Sequence, residues 1–165
     1  PKSLEQADWF KTDGVILAFE NLEKPGNLGA ILRSADGAGI ATIVLLNQAI
    51  DEYNPNVIRA SLGSVFAMKI LRLSSAELVE LKTKLNFQMI AMTQSLQSRS
   101  LWQHAWEKNT LIVFGNEGKG VSQEIQDASD IHLELPMNGI GDSLNVSVTA
   151  GIVAYDWLRQ NTDKL

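Results

Sequence analysis

Residues 15–38, Val15-Ile-Leu-Ala-Phe-Glu-Asn-Leu-Glu-Lys-Pro-Gly-Asn-Leu-Gly-Ala-Ile-Leu-Arg-Ser-Ala-Asp-Gly-Ala38, hold the fold in miniature. The apolar run 15–19 stops at Glu20-Asn21, and Lys24-Pro25-Gly26-Asn27 is turn chemistry, so a short buried strand feeds a loop. Beyond it Leu28, Ile31, Leu32 and Ala35 recur at helical spacing, with Asn27 the expected N-cap and Gly37 or Gly39 near the exit.

The rest of the chain repeats this unit. Residues 42–46, 65–71, 87–92, 111–114 and 131–135 read as strands, and 75–85, 121–128 and 144–158 as helices. Ser75 is the expected cap of the first of these helices, with Leu78, Val79, Leu81 and Leu85 on its inner face. Strands alternating with helices predict an α/β domain, a mostly parallel sheet flanked by helices, whose ligand site lies beyond the carboxyl ends of the strands.

A chain of 165 residues supports one such domain, here 14–165, preceded by a segment 1–13 that carries Trp9 and Phe10 and reads as a linker remnant or packed helix. The absence of cysteine excludes disulfides, thiolate catalysis and cysteine-held metals, and points to a reducing, cytoplasmic setting. No apolar stretch approaches the ~18 residues that cross a bilayer, so no membrane partner is expected. His104 and His132 stand far apart outside any spaced ligand set, so no metal is expected either. The net charge of −5 opposes a nucleic-acid partner unless basic residues gather on one face or another domain supplies the affinity.

Three polar, glycine-bearing loops follow strands: 21–33, 115–120 and 136–145. Gly26-Asn-Leu-Gly29 lacks the dinucleotide spacing, and Gly115-Asn-Glu-Gly-Lys-Gly120 lacks the Walker ending. Each alone is ordinary turn composition. Together they carry a resemblance. Asn21 to Ile40, with Asn27, Gly29 and Arg33, Phe114-Gly115-Asn116-Glu117-Gly118-Lys-Gly120, and Leu135-Pro136-Met137-Asn-Gly139-Ile-Gly-Asp-Ser143-Leu144-Asn145-Val146-Ser147 are similar to the three signature blocks of the SpoU/TrmH branch of the SPOUT RNA methyltransferases. Arg59-Ala-Ser61-Leu-Gly63-Ser-Val-Phe66 resembles a further element of that family.

The resemblance implies a C-terminal deep trefoil knot, an exception to the rule against threaded chains. It implies S-adenosylmethionine as methyl donor, no metal, and transfer to a ribose 2′-hydroxyl of ribosomal or transfer RNA. Met92, Thr93, Gly115, Asn116, Glu117, Leu135, Met137, Ser143 and Leu144 match the donor site. Arg33, Asn27, Glu117, Ser143 and Asn145 match catalytic positions, and Arg33 and Arg59 are the expected RNA contacts. A guanidinium stays charged in proteins, so Arg33 is read as a clamp on phosphate and developing alkoxide rather than as a base.

Local alternatives stand beside these roles. Arg33 has a salt bridge to Asp36 as its competing explanation, Asn27 an N-cap, Ser143 the cap of the last helix, Leu144 core packing, and Arg59 a solvated helix end. The last helix carries more apolar surface than one face needs, with Val148, Ile152, Tyr155 and Leu158 beside Ala150, Val153, Ala154 and Trp157, in keeping with the homodimer that the family implies. Many relatives add an N-terminal RNA-binding domain, an expected source of affinity for an acidic chain. The rival readings are a SPOUT enzyme acting on a base and a non-catalytic RNA-binding relative.

Overall fold

A computed structural model describes residues 14–47 and 50–161. The segment 1–13 with Trp9 and Phe10 lies outside the described residues. Seven strands, β1 (Gly14–Glu20), β2 (Thr42–Leu46), β3 (Lys69–Leu73), β4 (Gln88–Met92), β5 (Arg99–Ser100), β6 (Asn109–Phe114) and β7 (Ile131–Glu134), form one sheet in the order β3-β2-β1-β6-β4-β7-β5. Every pairing is parallel. The helices are α1 (Pro25–Gly37), α2 (Pro55–Ser61), α3 (Ser75–Leu85), α4 (Gln123–Ala128) and α5 (Val146–Asn161). The α/β architecture is the expected one.

Alternation along the central strands builds two cores. Val15, Leu17, Phe19, Ile43, Leu45, Ile112 and Phe114 point to one face, where α1 and α5 supply Leu28, Ile31, Leu32, Ala150, Val153, Ala154 and Trp157. Ile16, Ala18, Val44, Leu46, Leu111 and Val113 point to the other, covered by Leu78 and Leu81 of α3 and Ile125 of α4. A strand covered on both faces has no polar side, which explains runs such as Thr42-Ile-Val-Leu-Leu46. Phe19 and Phe114 stack with ring centroids 4.9 Å apart where β1 and β6 run side by side, close to the point at which the strand order reverses.

Several boundaries differ from expectation, each for a local reason. Helix α1 begins at Pro25 after Lys24, which makes no side-chain cap. Proline's fixed φ and missing N–H suit the first helical turn, so Asn27 falls inside the helix and is not its cap. Ser74 rather than Ser75 caps α3, in a capping box with Glu77 whose hydrogen bonds hold the Glu77 carboxyl below the usual carboxylate range. The run 65–71 is not one strand: Leu62 and Gly63 take left-handed φ values of 51° and 90°, a 3-10 turn covers Ser64–Phe66, and β3 starts only at Lys69. Helix α2 went unrecognised as a helix, although Asn54-Pro55 is a start signal, with Asn54 accepting from Asn56 N. Helix α5 begins at Val146, and its first turn is held by Asn145 Oδ1, which accepts from Ser147 N at 2.9 Å and Ser147 Oγ at 2.6 Å. Ser143 is therefore not the cap.

Candidate active site

Strands β4, β6 and β7 end side by side, and each runs into a polar loop. At their carboxyl ends lies a cavity of about 650 Å³. Met92 and Thr93 line it from β4, Phe114 to Glu117 from β6, Leu133 to Leu135 from β7, and Met137 and residues 143–146 from the segment before α5. The nine residues matched to a donor site therefore surround one space. Leu144 is 38% exposed there, so its expected core packing does not hold.

The loop 115–120 is tight. Asn116 N donates to Gly120 O at 3.1 Å and Gly120 N to Asn116 O at 2.8 Å, while Asn116 Oδ1 receives Gly118 N at 2.8 Å. A Cβ on Gly115 would stand 2.0 Å from the carbonyl carbon of Gly120, so no other residue fits the closed loop. Asn116 Nδ2 reaches Asn21 O at 2.9 Å and Glu23 Oε1 at 3.0 Å, and buried Glu20 accepts from Ser122 N at 2.8 Å. The end of β1 is thus stitched to the turn after β6.

Glu117 gathers the rest. Its Oε2 accepts from Lys24 Nζ at 2.6 Å, and its Oε1 from Asn27 Nδ2 at 2.5 Å and from Asn145 Nδ2 at 3.0 Å. Because Asn145 Oδ1 is occupied at the start of α5, its amide N–H must turn towards Glu117, and it also reaches Asn27 Oδ1 at 3.3 Å. The hydrogen bond from Lys24 is the largest influence on the Glu117 carboxyl and, with a smaller one from Asn27, holds it below its ordinary range against the opposing effect of burial, while Glu117 in turn raises Lys24. Glu117 is therefore an anion with three donors fixed on it. That makes it an organiser of the site more than a base, since basicity falls with pKa.

These contacts join loops 21–33, 115–120 and 136–145 into one polar cluster at the rim of the cavity. Residues 14–155, which include all three loops, match the SpoU rRNA Methylase family. The chain belongs to that family. Its relatives include an uncharacterized tRNA/rRNA methyltransferase of Synechocystis sp., 33% identical over 87% of this chain and 53% of its own length. A solved RNA 2′-O ribose methyltransferase is 37% identical with a TM-score of 0.85, over 92% of this chain and 58% of that one. The AdoMet-bound rRNA methyltransferase of Sinorhizobium meliloti is 27% identical with a TM-score of 0.84, over 92% and 57%. The chain thus spans little more than half the length of each of these relatives.

Within this SpoU-family domain Arg33 and Arg59 lie outside the cavity lining. Arg33 is exposed on α1, and its side chain makes no ion pair or hydrogen bond among the described residues; Asp36, its expected partner, instead accepts from Ser64 Oγ at 2.8 Å. Arg59 is exposed near the end of α2 and donates to Asn56 Oδ1 at 2.6 Å. Ser143 lines the cavity. Lys24 was not singled out from sequence, because in a Lys-Pro-Gly stretch it reads as a turn residue and its partner is 93 positions away. Gln94 was also missed; its Nε2 donates to Asp142 O at 2.7 Å and ties the end of β4 to the loop before α5. His132 Nε2 lies 3.0 Å from Gln126 O, and no metal-holding cluster occurs among the described residues.

Proposed function

We propose that this chain transfers a methyl group from S-adenosylmethionine to a ribose 2′-hydroxyl of structured ribosomal or transfer RNA, as a homodimer in the cytoplasm. The observation that carries the reading is the cavity at the ends of β4, β6 and β7, with Glu117 binding Asn27 and Asn145 at its rim.

The cavity fits the donor. Its volume suits a nucleoside-sized ligand, Gly115 leaves backbone uncovered where any Cβ would collide, and Leu135, Met137 and Leu144 offer apolar cover for a purine. When bound, the donor supplies an electrophilic methyl group on a sulfonium. The chain's own task is alignment: Glu117 fixes the amides of Asn27 and Asn145, which are placed to orient the ribose beside the cavity. Such positioning is worth on the order of 7–11 kcal/mol in favourable cases. Arg33, unpaired on the first turns beyond Asn27, grips the adjacent phosphate and offsets the charge that develops on oxygen as the proton leaves to solvent. The knotted threading implied by the family belongs to this reading, as does the two-fold pairing of α5 and α1.

Radiolabel transfer from S-adenosylmethionine to cellular RNA tests it, followed by alkaline hydrolysis, which a 2′-O-methyl group blocks at its own linkage. Label in an alkali-resistant dinucleotide supports ribose transfer, whereas label in a mononucleotide supports the rival enzyme. Arg33→Ala is expected to abolish transfer while donor affinity by calorimetry stays within about twofold of the parent. Lost donor binding with turnover retained would reject the clamp.

A further inference from the structure

Away from the cavity, three large apolar side chains crowd one surface. Tyr53 is 59% exposed, Leu62 71% and Phe66 67%, and the rings of Tyr53 and Phe66 stack with centroids 6.3 Å apart at 25°. Stacking covers at most one face of each ring, so these exposures leave a face of each open to a third planar group. The patch is held rather than frayed. Leu62 at a φ of 51° and Gly63 at 90° reverse the chain beyond α2, and Ser64 Oγ fastens the 3-10 turn to Asp36 of α1 at 2.8 Å. A leucine kept left-handed with its side chain in water is costly, and such sites persist where the surroundings enforce them.

The patch adjoins the catalytic helix. Helix α2 lies so close to α1 that a Cβ on Gly29 would meet Ala60 Cβ at 2.4 Å. Arg33 follows Gly29 by four residues and precedes Asp36 by three, so it occupies the same face of α1, between the contact to α2 and the contact to the 3-10 turn. Arg59 stands exposed on α2, its guanidinium steered by Asn56. The carboxylates nearby are engaged: Glu52 pairs with Arg72, Asp36 receives Ser64, and Asp51 Oδ1 accepts from Tyr53 N at 2.9 Å. Two open rings flanked by two arginines match unpaired RNA, whose bases stack on aromatic faces while its phosphates meet cations.

We propose that Tyr53 and Phe66 form a stacking platform for an unpaired nucleobase next to the nucleotide that is methylated, with Arg59 on its backbone and Arg33 on the phosphate between. The platform rests on the RNA methyl-transfer reading above and adds where the strand continues. It also locates an aromatic face flanked by two exposed arginines on a chain whose net charge is −5.

The test uses the full chain, a single-stranded oligoribonucleotide carrying 2-aminopurine, and the cellular RNA of the transfer assay. Phe66→Ala and Tyr53→Ala are each expected to weaken oligonucleotide binding by about fivefold to a hundredfold and to relieve the quenching of 2-aminopurine, with Phe66→Trp restoring both. Their salt dependence should match the parent's, whereas Arg59→Ala should reduce the slope of log affinity against log salt by about 1. Donor affinity, which a merely misfolded variant would lose, should be unchanged. Parent protein that methylates RNA with a KM untouched by Phe66→Ala and Tyr53→Ala overturns the platform alone; parent protein that methylates no RNA overturns the function on which it rests. A dimeric parent that Phe66→Ala turns into a monomer also overturns it, because the patch then belongs to a second copy of the chain.

Discussion

Lys24 Nζ stands 2.6 Å from Glu117 Oε2, joining the loop after β1 to the loop after β6 across 93 positions of sequence. Both side chains keep contact with water, at 65% and 33% exposure, so the pair contributes direction more than stability. Its value lies in holding a carboxylate charged and turned where two amides can use it.

That relationship sets a pH dependence. The Glu117 carboxyl is depressed, first by the Lys24 hydrogen bond, so its charged form is complete above the ordinary carboxylate range and is lost as pH falls through the lower folded value. Lys24→Met removes the largest cause, and the carboxyl should then protonate at higher pH, while Lys24→Arg should leave it low. Carbon-13 titration of the Glu117 side chain reads this directly. Methyl transfer at neutral pH should fall by about fivefold or less in Lys24→Met. An unmoved titration would show that the pair does not govern Glu117.

Gly115 sets a second expectation. An alanine there overlaps Gly120 backbone, which no side-chain rotation relieves. Relieving such overlap costs ~1–3 kcal/mol, and if the loop shifts to do so the donor site moves with it, weakening S-adenosylmethionine by about 5-fold to 150-fold. Calorimetry on folded Gly115→Ala checks this, and parent-like affinity would mean that the cavity does not depend on the closed loop.

His104 predicts a stability profile. Burial holds its imidazole pKa below the ordinary value, against the opposing pull of Asp156 and Glu107, and the ring meets Trp106 edge-on at 4.6 Å. Because the folded value lies below the unfolded one near ~6.5, the neutral ring's contribution is full above that pH and drains away as pH falls through the folded value. Thermal midpoints measured from pH 7.5 downward should therefore decline more steeply in the parent than in His104→Gln. Parallel curves would contradict the assignment.

The two faces of α5 bear on the dimer. Ala150, Val153, Ala154 and Trp157 are buried, whereas Val148 is 49% and Tyr155 51% exposed, with Tyr155 lying over Gly37 of α1. If these outward residues meet a second copy, Val148→Glu buries a charge against its own symmetry mate and should raise the dimer dissociation constant at least about a hundredfold. Sedimentation at micromolar protein measures it. A parent that sediments as a monomer ends the two-fold proposal.

Much of this protein is written locally. Periodicity in Val15–Phe19 and Leu28–Ala35, and turn chemistry at Pro25, Gly115 and Pro136, were enough for the α/β class, the three loops and the order of the main elements, though not for α2 or β5, because side-chain spacing and backbone propensity act within a few residues. What those residues do to one another was decided elsewhere. Asn27 has the composition of a helix cap, and only the approach of Glu117 and Asn145 turns its amide into part of a site. Lys24 reads as punctuation until β1 and β6 pair and carry its partner to it. Tyr53 and Phe66 belong to separate turns on either side of α2, and their rings meet where the chain reverses at Leu62 and Gly63. Strand order and register choose which loops become neighbours, and that choice is the sum of many burial contacts along the whole chain, which no short stretch of sequence contains.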